Sequence, residues 1–464
     1  MTPAAATGPL DELDRLWRDS GALMDDQSVL LCLQVTVLAA LAYRDSEPVP
    51  VSSRSDTTAP VSWAHLNAIS PPNFSAQLTS AFTSLAKASP DTAKLFDTAP
   101  LRQQPNERAL GLLLQWALRV AQRTDVPLIL DGLIARLGQG SRDPVTLPTT
   151  VASLLVGLLD LRDGQEIADP FCRTGDLLQA VAGVAKHDGH TGSSFTGYEV
   201  SPFLAQIARL RALWRDLPDR DIECRDALFL PPEAGGRLRQ FDRIVTSPPI
   251  TLRLDISELE KDRYLRFPLG VQPRTGADIA RIEHIIASLK AGGRAVVLVP
   301  AGLLFRSGHE QRVREELLSR DVIDTIIALP PGAYYGTRIA TAVLVLVKGR
   351  PANRRGRIRY VNAAHLGDAR RSGPPDEDLI DRILLAAKSD ASEEGFVHEI
   401  SLADTEANQW NLAPLPYFRA APEELADPAE LTLLLKERVA EQTAAQARFD
   451  AAAADLAALL GGAR

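Results

Sequence analysis

Cysteine is scarce in this chain: three in 464 residues (Cys32, Cys172, Cys224), with no Cys-x-x-Cys spacing. That argues against a disulfide framework and against a zinc site. The N-terminus has no basic region followed by an apolar run, so no secretory signal is expected. A long hydrophobic run is also lacking. The most apolar window, residues 29–43, is broken by Gln34 and Thr36 and is read as a buried helix, too short to span a bilayer. An excess of positive charge is missing too, since the net charge is −8. A protein that held nucleic acid unaided would usually be basic, at least locally. If nucleic acid is the substrate, a partner is expected to supply part of the grip. The reading is of a cytoplasmic protein with no membrane contact.

What is present is a soluble-type composition, 45% hydrophobic and 24% charged, at a length that suggests two or three domains. Residues 1–145 read as a helical domain. Asp25-Asp26 is placed to cap a helix through Leu30, Leu33, Val37 and Leu41, and further helices are expected over 76–88 and 107–122. Residues 44–60 form a Pro/Ser-rich loop. From about Pro148 short β-branched runs alternate with helical segments. Strands are expected at 166–169, 195–199, 222–225, 242–246, 295–299, 322–328 and 342–347. This rhythm predicts an α/β fold, a doubly wound, mostly parallel seven-stranded sheet over residues 146–350. No crossover helix fits between the last two strands, which predicts a hairpin and one antiparallel strand at the end of the sheet. Residues 351–427 read as a mixed appendage, with a strand at 358–361, and 428–464 as a long helical tail. The tail's apolar positions step by four and three, but Gln442 and Gln446 lie on that seam. A coiled coil and a helix packed on its own protein both stand open.

Four consecutive strands end in polar groups of a ligand-binding type. Asp169 leads Pro170-Phe171-Cys172-Arg173-Thr174-Gly175, a tight strand-to-helix turn, and is suited to a ligand ammonium group. Glu199 ends the second strand, 24 residues after Gly175, where an acidic residue accepts ribose hydroxyls. Asp226 follows the third strand and suits an adenine amino group. The fourth strand runs into Ser247-Pro248-Pro249-Ile250. Two prolines cannot continue an inner strand, so the chain stops there in a rigid turn. Each feature alone has an ordinary structural explanation. Four in succession do not.

This order resembles the class I S-adenosylmethionine-dependent methyltransferases that methylate amino groups of DNA. Their cofactor loop reads Asp-Pro-x-Cys-Gly-x-Gly, and their catalytic tetrapeptide reads Asn/Asp/Ser-Pro-Pro-aromatic. Residues 282–300, 302–306, 327–330 and 335–348 narrow the resemblance to the modification (methylase) subunit of type I restriction–modification systems. So do Leu147-Pro148-Thr149, matching a Thr-Pro element, and 408–418 with Trp410-Asn411-Leu412. The resemblance covers about residues 145–420. It implies methylation of adenine N6 in DNA, beside a separate sequence-recognition subunit and a restriction or translocase subunit. It further implies that Pro148, Thr149, Asp169, Cys172, Thr174, Gly175, Glu199 and Asp226 bind S-adenosylmethionine, and that Ser247, Pro248, Pro249 and Ile250 act on the base. No metal is implied.

Three positions depart from the family pattern. Arg173 replaces the first glycine of the loop, and its side chain either enters the methionine part of the site or, at negative φ, points to solvent. Ser247 stands where adenine enzymes usually carry Asn or Asp. Ile250 replaces a base-stacking aromatic, a loss of about 1–3 kcal/mol, with Tyr264, Phe267 and Tyr334 as candidate substitutes. These departures keep two other readings open. One is a degenerate module for cofactor sensing or DNA positioning; the other is a methyltransferase acting on cytosine N4 or another amide or amine. His284 and His309 read as packing or helix-surface residues, Cys172 as a small packing residue in the family loop, and Arg354, Arg355 and Arg357 as a solvated linker or a phosphate contact.

Overall fold

The computed structural model describes residues 4–418, apart from 21–24, 45–60, 89–94, 97–100, 102–106, 138–144, 216, 218–219, 251–254, 272–276, 335–338 and 367–373; beyond 418 it describes Lys436, Ala440, Gln442, Thr443 and Gln446. The expected loop at 44–60 and nearly all of the C-terminal helix therefore lie outside the described residues. The chain forms two compact units, Met1–Pro414 and Leu415–Arg464. The sheet and the helices that flank it belong to the first unit.

Among the described residues six helices open the chain: α1 (Ala4–Asp19), α2 (Asp26–Arg44), α3 (Trp63–Ala68), α4 (Phe74–Ala88), α5 (Glu107–Ala121) and α6 (Val126–Ile134). Asp25 caps α2 as expected, accepting from the Ser28 N–H at 2.8 Å. Helix α2 is apolar on every face, so it is stable only when surrounded. Every residue from Ser28 to Ala42 is buried. By length and composition α2 could cross a membrane, yet 83% of its apolar window is covered by the protein itself.

Helix α7 (Thr149–Gly157) leads into the sheet. The alternating elements are β1 (Glu166–Asp169), α8 (Asp176–His187), β2 (Ser194–Glu199), α9 (Pro202–Trp214), β3 (Arg220–Cys224), a small hairpin of β4 (Glu233–Ala234) and β5 (Arg237–Leu238), and β6 (Phe241–Thr246). Then come α10 (Asp278–Ala287), β7 (Leu289–Pro300), α11 (His309–Ser319), β8 (Ile323–Ala328), β9 (Thr341–Val347), β10 (Arg357–Asn362), α12 (Glu377–Lys388), β11 (Val397–Ser401) and α13 (Leu402–Ala407).

All seven expected strands are present, but the sheet has nine, in the order β3-β2-β1-β6-β7-β9-β8-β10-β11. The extra pair comes from the segment read as an appendage. Strand β10 pairs parallel with β8, and β11 closes the edge antiparallel to β10. The antiparallel strand β9 is also not at the end of the sheet. It is inserted between β7 and β8, antiparallel to both. Its near-continuous apolar run explains this, because such a strand is stable only when flanked and covered on both faces. Burial is complete from Thr341 to Leu346.

Strands β1 and β6 are neighbours at the centre, with Ile167 opposite Arg243. From β1 the chain winds outward through β2 and β3; from β6 it winds the other way. That is a topological switch point, where open α/β sheets hold ligands beyond the carboxyl ends of their strands. The helical bundle is joined to this side of the sheet. Ile207, Leu210 and Leu213 of α9 share its apolar core. The buried amides of Gln34 and Gln206 both donate to the Leu95 carbonyl, at 3.0 and 2.9 Å.

Candidate active site

Asp169 ends β1, Ser247 follows β6, and the two bound one small pocket together with Leu147, Phe171, Cys172, Arg173, Asp176 and Leu177. Asp169 is 2% exposed. Its Oδ1 accepts from the Thr246 hydroxyl at 2.6 Å and from the Phe171 N–H at 3.0 Å. Burial pushes its carboxyl up to about 7, against the pull of those two hydrogen bonds and helped by Glu199 and Asp176. A ligand cation would relieve that desolvated carboxylate. Ser247 is 5% exposed, and its Oγ is buried with no hydrogen-bond partner among the described residues. A buried hydroxyl without a partner costs about 1–3 kcal/mol, so a polar ligand atom is favoured there.

The turn that follows is held from behind. Arg281 of α10 is buried, donates to the Pro249 carbonyl at 2.9 Å and pairs with Asp278 at 3.2 Å. Its guanidinium also lies 6.0 Å from the centre of the Phe171 ring. Pro248 is buried and Pro249 half-buried. Ile250 is packed against the sheet's apolar core. Of the candidate stacking aromatics, Phe267 belongs to a separate apolar cluster, Tyr334 is buried, and Tyr264 lies beside Arg263. The aromatic that borders the pocket with Ser247 is Phe171, a residue not singled out from the sequence.

The loop after β1 is shaped by two left-handed residues. Gly175, at φ +78°, begins α8, and its N–H donates to the Cys172 carbonyl at 2.7 Å. Arg173 sits at φ +52°, so the negative-φ condition for pointing to solvent is not met. Its N–H donates to Glu199 Oε2 at 3.0 Å, and its Nη1 donates to Tyr334 Oη at 2.5 Å. Cys172 is packed in the core, with burial raising its thiol well above the usual range. Thr174 is fully buried, its Oγ1 lying 3.1 Å from the Val145 carbonyl and 2.9 Å from Asp176 Oδ2.

Glu199 is buried, and burial raises its carboxyl although the N–H groups of Ser201 (2.8 Å) and Arg173 hold it. Asp226 accepts from the N–H groups of Leu228 and Phe229 through Oδ1, at 3.0 and 3.1 Å. In the upstream element, Pro148 is buried and Thr149 is exposed at the start of α7. Leu147 reaches the pocket, and its N–H donates to Asp176 Oδ2 at 3.3 Å. Thr150, beside them, carries a buried hydroxyl with no partner among the described residues. His284 is a packing residue, as expected: it touches Arg266 at 3.0 Å, and burial holds its imidazole down to about 3, so it is neutral.

These features define a doubly wound α/β fold of the class I methyltransferase type, with Asp169 and Ser247 at the switch point. The chain belongs to the N-6 DNA Methylase family, which it matches over residues 140–425. It is 28% identical over 284 residues to the type I restriction enzyme MjaVII methylase subunit of Methanocaldococcus jannaschii, covering 58% of this chain and 48% of that protein. It is 27% identical over 222 residues to the EcoKI methylase subunit of Escherichia coli, covering 44% and 40%. The chain thus spans about half the length of the curated relatives it matches. The fold is shared with the type I restriction–modification methyltransferase subunit of Streptococcus thermophilus, at a TM-score of 0.74 and 20% identity, over 90% of this chain and 100% of that one.

The chemistry of the residues at these strand ends suits S-adenosylmethionine, the cofactor implied by the resemblance. A desolvated carboxyl at Asp169 suits the ammonium, Gly175 at φ +78° makes the tight turn into α8, and Glu199 and Asp226 follow on the next two strands.

Proposed function

We propose that this chain is a DNA methyltransferase subunit that transfers the methyl group of S-adenosylmethionine to adenine N6, within a type I-like modification system. The observation that carries this reading is the buried Ser247 Oγ, with no partner among the described residues, in the same pocket as Asp169. When bound, the cofactor supplies an electrophilic methyl group. Asp169, Gly175, Glu199 and Asp226 hold it at the ends of β1, β2 and β3. The exocyclic amine of adenine is a poor nucleophile, because its lone pair is delocalised into the ring. Ser247 Oγ and the Pro248 carbonyl accept from that amine and turn its lone pair toward the methyl group. The contribution is orientation and electrostatics in a dry pocket, with no strong base required. Neutral, buried His284 is consistent with that.

The base must leave the duplex to reach such a pocket. With a net charge of −8, the chain leaves much of the phosphate contact to a sequence-recognition subunit. We assign residues 1–145 to a helical domain, 146–350 to catalysis and 351–427 to an appendage whose strands β10 and β11 complete the sheet; 428–464, read from the sequence as a long helix and possible coiled coil, lies almost wholly outside the described residues. We place the protein in the cytoplasm. The test is transfer of labelled methyl to unmodified DNA by the chain co-purified with the products of its neighbouring genes. N6-methyladenine in the digested DNA is expected. Label found in N4-methylcytosine, or cofactor binding with no transfer, would overturn the proposal.

A further inference from the structure

Arg173 occupies the glycine position of the β1 loop in a backbone conformation that costs a bulky residue about 1–2 kcal/mol. Glu199 and Tyr334 help to hold it there. The backbone N–H is taken by Glu199, while the guanidinium extends to Tyr334, in the segment between β8 and β9. Tyr334 is itself buried, and its hydroxyl orients the guanidinium. Arg173 bounds the same pocket as Asp169 and Ser247. The wall of that pocket carries two acids, Asp169 and Asp176. Asp176 is engaged by Arg211 and Thr174, so the pair turned to a ligand is Asp169 and the Arg173 guanidinium, which complements an amino acid in its zwitterionic form. A glycine at this position would leave a ligand carboxylate only backbone N–H groups and the start of α8.

We propose that Arg173 is a specificity residue for the amino-acid end of S-adenosylmethionine: its guanidinium receives the carboxylate while Asp169 receives the ammonium. This rests on the cofactor assignment made above. A guanidinium presents a planar fork of donors that matches a carboxylate, and its reach is fixed here by the Tyr334 contact. The departure from the family pattern is then a gain in cofactor selectivity, not a blocked pocket.

The experiment compares binding of S-adenosylmethionine and of its decarboxylated analogue, which keeps the amine and the sulfonium, by titration calorimetry on the full chain. The wild type should prefer the carboxylate-bearing compound by about tenfold to a hundredfold. Arg173→Gly, which restores the residue most at ease at this φ, should erase the preference by weakening the first compound alone. Arg173→Lys should retain part of it, and Tyr334→Phe should lose part of it. Three results would overturn the inference while leaving the cofactor reading intact: equal affinity of the wild type for both compounds, an undiminished preference in Arg173→Gly, or tighter binding of S-adenosylmethionine by Arg173→Gly. A wild type that binds neither compound would overturn the cofactor reading and this inference with it.

Discussion

Two aspartates on neighbouring central strands show what separates the ligand end of this sheet from its opposite end. Asp242 lies near the start of β6. It accepts from the Glu166 N–H at 3.0 Å and from Lys290 Nζ at 2.9 Å. Burial would raise its carboxyl, but those bonds outweigh it and hold the group below its ordinary value. Asp169 ends β1, one strand away. It has a hydroxyl and an N–H where Asp242 has an ammonium, and burial drives it up to about 7. One end of the sheet is electrostatically complete. The other is left incomplete in a way a cationic ligand would complete, and Ser247 repeats the pattern with a hydroxyl that has nothing to bond among the described residues. Polar groups that cost stability and persist in a pocket are what functional sites look like physically.

The largest way to break this contrast is Ser247→Ala. The hydroxyl has no partner to lose among the described residues, so the melting temperature should barely move, while methyl transfer should fall about a hundredfold or more. A large loss of stability with unchanged transfer would show that the contrast had been misread. Next comes Gly175→Ala. At φ +78°, with a new Cβ about 3.4 Å from Ala208 Cβ, it should cost about 1–2 kcal/mol in urea denaturation and weaken cofactor binding. The smallest effect belongs to the completed end. Asp242→Asn should cost about 1 kcal/mol or less at pH 7, since Lys290 is partly exposed and screened. Because the folded-state value is depressed, that stabilisation is present above the ordinary carboxylate range and is lost as pH falls through the folded value. The difference between Asp242→Asn and wild type in urea midpoints should vanish at low pH.

Much of this was legible in the sequence because it is local. Strand-ending acids, a Gly turn and a Pro-Pro stop are each written in a few consecutive residues. The misses are long-range. Strand β10 was visible at 358–361, but only its pairing with β8 makes it part of the sheet. The insertion of β9 between β7 and β8 depends on register across the sheet, which no periodicity encodes. The course of Arg173 is set by Tyr334, 161 residues away. Phe171 stood in plain view within the loop, yet its place beside Ser247 depends on Arg281, which holds both the Pro249 carbonyl and the ring side of the pocket. The Thr-Pro element pointed to Pro148 and Thr149, whereas Leu147, just before α7, lines the pocket and Thr149 is exposed.

The carboxyl of Asp169 is held at a cost to stability that a cationic ligand would offset. Its folded-state value, about 7, lies above the ordinary 3.8, so the native chain binds more protons than the unfolded one between those values. Stability therefore falls as pH rises through that window, and at pH 8 the cost is present in full, on the order of 2–4 kcal/mol. The direct test is thermal denaturation of wild type and Asp169→Asn at pH 8, each with and without saturating S-adenosylmethionine. Asn keeps an acceptor for Thr246 and Phe171 but carries no charge. The account predicts that the variant melts higher than wild type without the cofactor, and that the order reverses when it is present. A variant that melts lower under both conditions, or an equal upward shift of both proteins with the cofactor, would contradict it.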